Sequence, residues 1–242
     1  MPAPSLNPSQ KQAKLGYQVN ICSKADKMTT SPVFDRLKVV AHPVIEVKLA
    51  KLRDKNTPPQ DFRRTLFELA GLMSAAVFRH IKTIEIEIET PLETTVAAAL
   101  PPHVPCIVSI LRAGNGMADA LGALLPEAAI GHIGLQRDPD THQPEFYYEK
   151  LPPEIAARQV IITDPMLATG GSAILTADRL KAHGVTDIVF CCLVAAPEGV
   201  MAFSQSHPDI PIVTAALDRE LNSHCYILPG LGDAGDRIYG TN

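Results

Sequence analysis

Apolar residues recur at two different periods along this chain, and the change of period outlines the fold. The pattern begins at Leu37-Lys38-Val39-Val40. Phe62, Leu66, Leu69, Leu72, Met73 and Val77 then follow at helical spacing, which predicts a helix. Thr57-Pro58-Pro59-Gln60 reads as its start, a capping box with proline at the first helical position. Ile84-Glu85-Ile86-Glu87-Ile88-Glu89 alternates strictly, which predicts a half-exposed strand with its acids on one solvated face. Beyond it, short apolar runs alternate with helical patterns. The runs are Cys106 to Leu111, Ile130 to Leu135, Val160 to Thr163, Ile188 to Val194 and Ile212 to Ala216. The helical patterns lie near 116–125, 172–183 and 198–206, and Gly184 reads as a C-terminal stop. Buried strands alternating with helices predict an α/β fold with a central, mostly parallel sheet flanked by helices. Residues 218–242 keep neither period and read as a long irregular tail.

Composition narrows the class. Residues 1–31 hold Pro2, Pro4, Pro8 and many Ser, Lys and Gln, so they read as a disordered N-terminal extension, with Met28 as an alternative start. Residues 32–242 then form the folded domain. The chain is 46% hydrophobic and 20% charged, which excludes a disordered or collagen-like protein. A net charge of −4 with no tryptophan speaks against a nucleic-acid surface, so an anionic ligand needs a local site. The five cysteines (Cys22, Cys106, Cys191, Cys192 and Cys225) show no CxxC spacing and read as reduced thiols in a cytoplasmic protein. No apolar run is long enough for a membrane helix. The histidines are scattered, without HxH or HxxxH pairs, so no zinc site is read from them.

Three segments carry chemistry. Val160 to Thr163 is followed by Asp164-Pro165-Met166-Leu167-Ala168-Thr169-Gly170-Gly171-Ser172 and then a helical pattern. A helix start offers unpaired N–H groups and partial positive charge to a phosphate. The glycines permit close backbone approach, and Thr169 and Ser172 add hydroxyls. Asp164, at the strand's carboxyl end, is placed to accept hydrogen bonds from sugar hydroxyls. The loop is neither Walker A nor GxGxxG, which disfavours a Rossmann-like binder. In the second segment, Arg112 leaves the strand Cys106–Leu111 beside Gly114, where its fork of donors suits a phosphate. The third, Tyr226 to Asp236, is dense in glycine and presents backbone groups to a small planar base. Its Ile227, Leu228 and Leu231 predict that it packs.

Together Asp164 to Ser172, Leu111-Arg-Ala-Gly114, Leu193-Val-Ala-Ala-Pro-Glu-Gly199 and Pro229-Gly-Leu-Gly-Asp-Ala-Gly-Asp236 resemble the uracil phosphoribosyltransferase family. The resemblance runs from about Leu37 to the C-terminus. It implies a type I phosphoribosyltransferase fold with a C-terminal base-binding hood. It also implies transfer of the phosphoribosyl group from 5-phospho-α-ribosyl diphosphate (PRPP) to uracil, giving UMP and diphosphate in pyrimidine salvage. By that similarity Asp164, Pro165, Met166, Leu167, Ala168, Thr169, Gly170, Gly171 and Ser172 hold the ribose and its 5′-phosphate. Arg112 and Arg137 contact the diphosphate side. Ile227, Gly232, Asp233 and Ala234 form the uracil pocket, and Asp233 also lies near PRPP. Asp233, Arg112 and Arg137 are the catalytic residues so implied. Mg²⁺ is expected through PRPP, with no protein-only metal site. A homo-oligomer and a GTP effector are implied in the same way. Asn115 stands where a bulkier apolar residue is common, Ala75 and Ala76 where tyrosine and glutamate are common, and Cys225 where glycine is usual. Asn115 and the two alanines weigh against family-like subunit contacts and GTP regulation. Two alternatives stay open on the residues alone. One is a phosphoribosyltransferase for another base, which residues 226–236 decide. The other is a non-catalytic nucleotide sensor or RNA-binding regulator on the same fold.

Overall fold

The computed structural model describes residues 34–137 and 144–241, with Arg137 and Pro144 described through their backbone alone. The proposed N-terminal extension, Met28 and Cys22 lie outside the described residues. In chain order the elements are β1 (Leu37–Val39), α1 (Pro43–Arg53), α2 (Pro59–Phe78), β2 (Ile84–Glu89), β3 (Thr94–Ala99), β4 (Cys106–Leu111) and α3 (Asn115–Leu124). Next come β5 (Ala129–Arg137), β6 (Pro144–Lys150), a 3₁₀ turn (Ile155–Ala157), β7 (Val160–Thr163), β8 (Met166–Leu167) and α4 (Gly171–Ala182). The chain ends with β9 (Ile188–Ala195), α5 (Pro197–Ser206), β10 (Ile212–Leu217), β11 (Glu220–Leu221), β12 (Ile227–Leu228) and α6 (Ala234–Tyr239).

The main sheet has the order β1-β10-β9-β7-β4-β5-β6, with β8 added to the end of β9. Every pairing is parallel except β5 with β6. The expected central parallel sheet with flanking helices is therefore what forms. Alternation along the strands divides the core between two faces. Ile107, Ile161, Val189, Cys191, Leu193 and Val213 pack with α1, α2, α3 and α6. Cys106, Val108, Val160, Ile162, Phe190 and Cys192 pack on the other face with Leu180, Val200 and Phe203. All eight residues of β9 are buried, which is why that run shows no alternation of polarity.

Several sequence expectations need correction. Helix α2 begins one residue later than the capping box requires: Pro58 is its N-cap and no side chain caps it. A residue before proline is pushed out of the helical region, and Pro58 duly sits at φ −69°, ψ 157° before Pro59. Thr57 instead donates its hydroxyl to Lys51 O at 2.6 Å. Leu72 is half-exposed, whereas the other five residues of its stripe are buried. Strand β2 is exposed on both faces, because it pairs only with β3 in a ribbon separate from the main sheet. The tail is not irregular throughout. It forms the β11–β12 ribbon and α6, which Asp233 caps by accepting from Asp236 N at 2.9 Å. As expected, Gly184 follows α4 in the left-handed region, at φ 86°.

Candidate active site

The site forms where β7 and β4 end. Asp164 N–H donates to Cys191 O at 3.1 Å, which carries the chain off the edge of β7 beside β9. The Asp164 carboxylate then accepts from Met166 N at 3.3 Å and rounds the turn. β8 rejoins the sheet, with Met166 opposite Val194 and Leu167 opposite Ala195. Gly170 takes φ 88°, a left-handed conformation that costs glycine little, and starts α4 there. The first helical bond runs from Ile174 N to Gly170 O at 2.9 Å. The N–H groups of residues 171–173 therefore have no partner within the helix and are available to an anion.

A cavity of about 210 Å³ lies over this helix start, lined by Ala113, Asp164, residues 166–173 and residues 233–235. It joins the loop after β7 to the start of α6. Burial is the main force raising the Asp164 carboxyl, to about 7, and the negative charge of Asp233 raises it further. Pro165 faces the other way: its carbonyl accepts from Leu193 N at 3.0 Å and Val194 N at 3.1 Å. Thr169 is exposed and Ser172 half-buried, both on the cavity wall.

Arg112 stands at the rim, its side chain 56% exposed. The helix α6 holds it: the guanidinium lies 3.8 Å from Asp236 Oδ1 and 5.4 Å from the centre of the Tyr239 ring. Tyr239 also donates its hydroxyl to Arg112 O at 2.9 Å. Of Arg137 the structure gives a backbone position, the last residue of β5.

The C-terminal segment packs as a hood. Arg53 binds both carboxylate oxygens of buried Asp218, at 2.7 and 2.5 Å, and donates to Gly230 O at 2.7 Å. Asp218 in turn accepts from Gly230 N at 2.9 Å. Arg237 donates to Leu52 O, to Leu231 O at 2.7 Å and to Asp54 O at 2.6 Å, with its guanidinium 4.4 Å from the Phe62 ring centre. Among the proposed base-pocket residues, Asp233 and Ala234 line the cavity. Gly232 immediately precedes them at φ 78°, and Ile227 is buried in the core.

The cavity therefore gathers the loop from Asp164 to Ser172, except Pro165, together with Asp233 and Ala234, and brings Arg112 to its edge. Sequence reasoning did not single out Ala113 and Gly235 on the wall, Asp236 and Tyr239 behind Arg112, or the Arg53–Asp218 pair. Gly235 and Asp236 sit inside a segment already marked by its glycines. Arg53 and Asp218 lie 165 positions apart and carry no local signal.

The family model described as uracil phosphoribosyltransferase matches residues 39–241. A uracil phosphoribosyltransferase from Dictyoglomus thermophilum is 54% identical over 203 residues, covering 84% of this chain and 98% of that protein. One from Streptococcus agalactiae is 52% identical over 206 residues, covering 85% and 99%. Among solved structures, the AQ2163 protein from Aquifex aeolicus superposes with a TM-score of 0.79 at 31% identity, covering 85% of this chain and 99% of that one.

Proposed function

The chain belongs to the uracil phosphoribosyltransferase family, and from that premise we propose how its cavity divides the two substrates. The enzyme is a pentosyltransferase: it transfers the 5-phosphoribosyl group of PRPP to uracil, releasing diphosphate and forming UMP. In our reading the loop from Asp164 to Ser172 takes the ribose 5′-phosphate on the N–H groups of residues 171–173 and the hydroxyls of Thr169 and Ser172. Asp164 accepts from the ribose hydroxyls. Arg112 and Arg137 meet the diphosphate. The backbone and side chains of Ile227, Gly232, Asp233 and Ala234 form the uracil side, Ile227 as packing beneath it. The observation that carries this division is the single cavity walled by the helix start on one side and residues 233–235 on the other.

The transfer breaks the anomeric C–O bond, forms a C–N bond to uracil N1 and releases the N1 proton. Positive charge grows on the ribose and negative charge on the departing diphosphate. Arg112, at the rim beside Asp236 and the Tyr239 ring, stabilises the leaving charge. The phosphate loop and hood hold the reactants together, replacing an encounter in solution by proximity. No covalent nucleophile is required.

Mg²⁺ belongs to this proposal as a companion of PRPP. Asp164 and Asp233 face the cavity and repel one another, a donor pair that suits a hard cation. Oxygens of PRPP would supply its remaining ligands. When bound, the ion neutralises diphosphate charge. A homo-oligomer is supported by the β2–β3 ribbon, which exposes Ile84, Ile86, Ile88, Leu92 and Val96. Regulation by GTP rests on the family resemblance. Buried Cys106, Cys191 and Cys192 support a reducing, cytoplasmic setting. No described helix is long and apolar enough to cross a membrane.

The direct test incubates the protein with labelled uracil, PRPP and Mg²⁺, with hypoxanthine and orotate as competitors. UMP formed selectively from uracil is expected. Selective use of another base would overturn the reading of the hood, and RNA binding in a gel shift without UMP formation would favour the sensor alternative.

A further inference from the structure

The end of β9 lies between the two halves of the site. On one side it holds the phosphate loop. Met166 and Leu167 pair with Val194 and Ala195, and Ala196 N donates to Leu167 O at 2.9 Å. Gly199, in the first turn of α5, presses on the same loop: a Cβ there would lie 2.3 Å from Ala168 O and 2.7 Å from Leu167 O. On the other side the same few residues hold the hood. Asp218 N donates to Ala195 O at 2.8 Å, and Leu221 N donates to Glu198 Oε1 at 3.0 Å. Leu221 belongs to β11, the strand that pairs with β12 at the root of the hood. Glu198 is therefore adjacent to the residue that touches the loop, while its side chain reaches the hood. Its second oxygen, Oε2, is buried and has no hydrogen-bond partner among the described residues. Burying a carboxylate oxygen without a hydrogen bond is costly, and the bond from Leu221 N to Oε1 offsets only part of that cost.

We propose that Glu198 is a positioning residue that couples the phosphate loop to the uracil hood, so that PRPP bound at residues 164–173 sets the hood for the base. The inference rests on the division of the site proposed above. Glu198 touches neither substrate. It acts through Leu221, and the rigid link is the first turn of α5, where Gly199 leaves no space between helix and loop.

The test compares the full-length wild type with Glu198→Ala, Glu198→Asp and Glu198→Gln. Glutamine keeps an acceptor within reach of Leu221 N. Aspartate keeps the charge, lacks the reach and guards against a variant that merely fails to fold. Two readouts are taken: steady-state KM for each substrate, and amide hydrogen exchange over residues 164–173 and 219–231 with and without PRPP. In the wild type, PRPP slows exchange in both segments. In the alanine and aspartate variants it slows the loop only, while KM for uracil rises about tenfold and KM for PRPP changes by less than about twofold, the size set by one hydrogen bond. Glutamine restores both readouts. An unchanged uracil KM with PRPP-dependent slowing of 219–231 retained in the alanine variant overturns the coupling but leaves the site assignment standing. A glutamine variant as impaired as alanine also overturns it. If PRPP slows neither segment in the wild type, the site assignment itself fails and the coupling with it.

Discussion

Gly114→Ala probes the contact between the turn that carries Arg112 and the strand that carries Asp164. Gly114 has φ −63° and ψ −22°, a conformation any residue adopts, so the effect comes from space alone. A Cβ would lie 2.3 Å from Thr163 O, 2.7 Å from Ile110 O and 2.8 Å from Ile110 N. Real Cβ atoms stay beyond 3.0 Å, so the turn and β7 must part by at least 3.0 − 2.3 = 0.7 Å. All three obstacles are backbone atoms of buried strands and cannot rotate away. The separation strains the bond from the Thr163 hydroxyl to Gly114 O, now 3.2 Å, and it moves Asp164 and Arg112 relative to one another. Overpacking costs about 1–3 kcal/mol and a weakened buried hydrogen bond about 1 more, so a loss of about 2–4 kcal/mol is expected. A misplacement near 1 Å at a reacting centre costs about 100-fold, so kcat/KM should fall about 10- to 100-fold. Urea denaturation gives the first quantity and spectrophotometric UMP formation the second. A variant within twofold of wild type in kcat/KM, with an unchanged midpoint, would refute the argument that this contact sets the geometry of the site.

Arg112→Ala should lower kcat/KM by about 10²–10³, the scale for losing one donor aimed at developing charge. Its stability should change by about 0.5 kcal/mol or less because the side chain is mostly solvated; activity within fivefold of wild type in a folded variant would contradict its role. Arg53→Ala strands Asp218, which is 8% exposed, and should cost about 3 kcal/mol, the low end for a broken buried pair because Arg53 itself meets solvent. A urea midpoint implying less than about 1 kcal/mol would remove the clamp from the account. Asp164 makes stability fall with pH: its folded carboxyl titrates at about 7 against 3.8 when unfolded, so the folded state holds the proton more tightly and stability declines between those values. The shift sets a ceiling of about 4 kcal/mol, reduced to about 1–2 by solvent in the cavity. Melting curves at pH 4 and pH 8 should show this slope in the wild type and lose it in Asp164→Asn, and an identical slope in both would discard the assignment.

The sheet was legible because its strands are apolar runs with sharp ends: Cys106 to Leu111 and Val160 to Thr163 match β4 and β7 residue for residue. The loop after β7 was legible as a strand-to-helix connection because strand, acid, glycines and helix are contiguous. Helix α1 was missed although Pro43 begins it and Ile45, Leu49 and Leu52 mark its buried face. Charged and small residues between them blur the stripe. The exposure of Ile84, Ile86 and Ile88 escaped for a different reason. Alternation shows that a strand has two faces, but not whether anything covers either one. The Arg53–Asp218 pair and the hold of Tyr239 on Arg112 are long-range contacts, which no local period records.

The two halves of the site therefore pose a problem of connection. The loop at 164–173 grows from the centre of the sheet, while the hood is the last segment of the chain. A transferase must bring them to one geometry, since a phosphate and a base held independently would leave the anomeric carbon wrongly aimed. The fold supplies two separate bridges. One crosses the mouth of the cavity, where Asp236 and Tyr239 of the hood hold Arg112, which leaves β4. The other runs behind it, where residues 195–199 contact the loop on one side and Asp218 and Leu221 on the other. On the proposed division of the site, the rear bridge, together with Arg53 on Asp218, fixes the root of the hood, and through it the buried end of β9 orients the reactants without touching either.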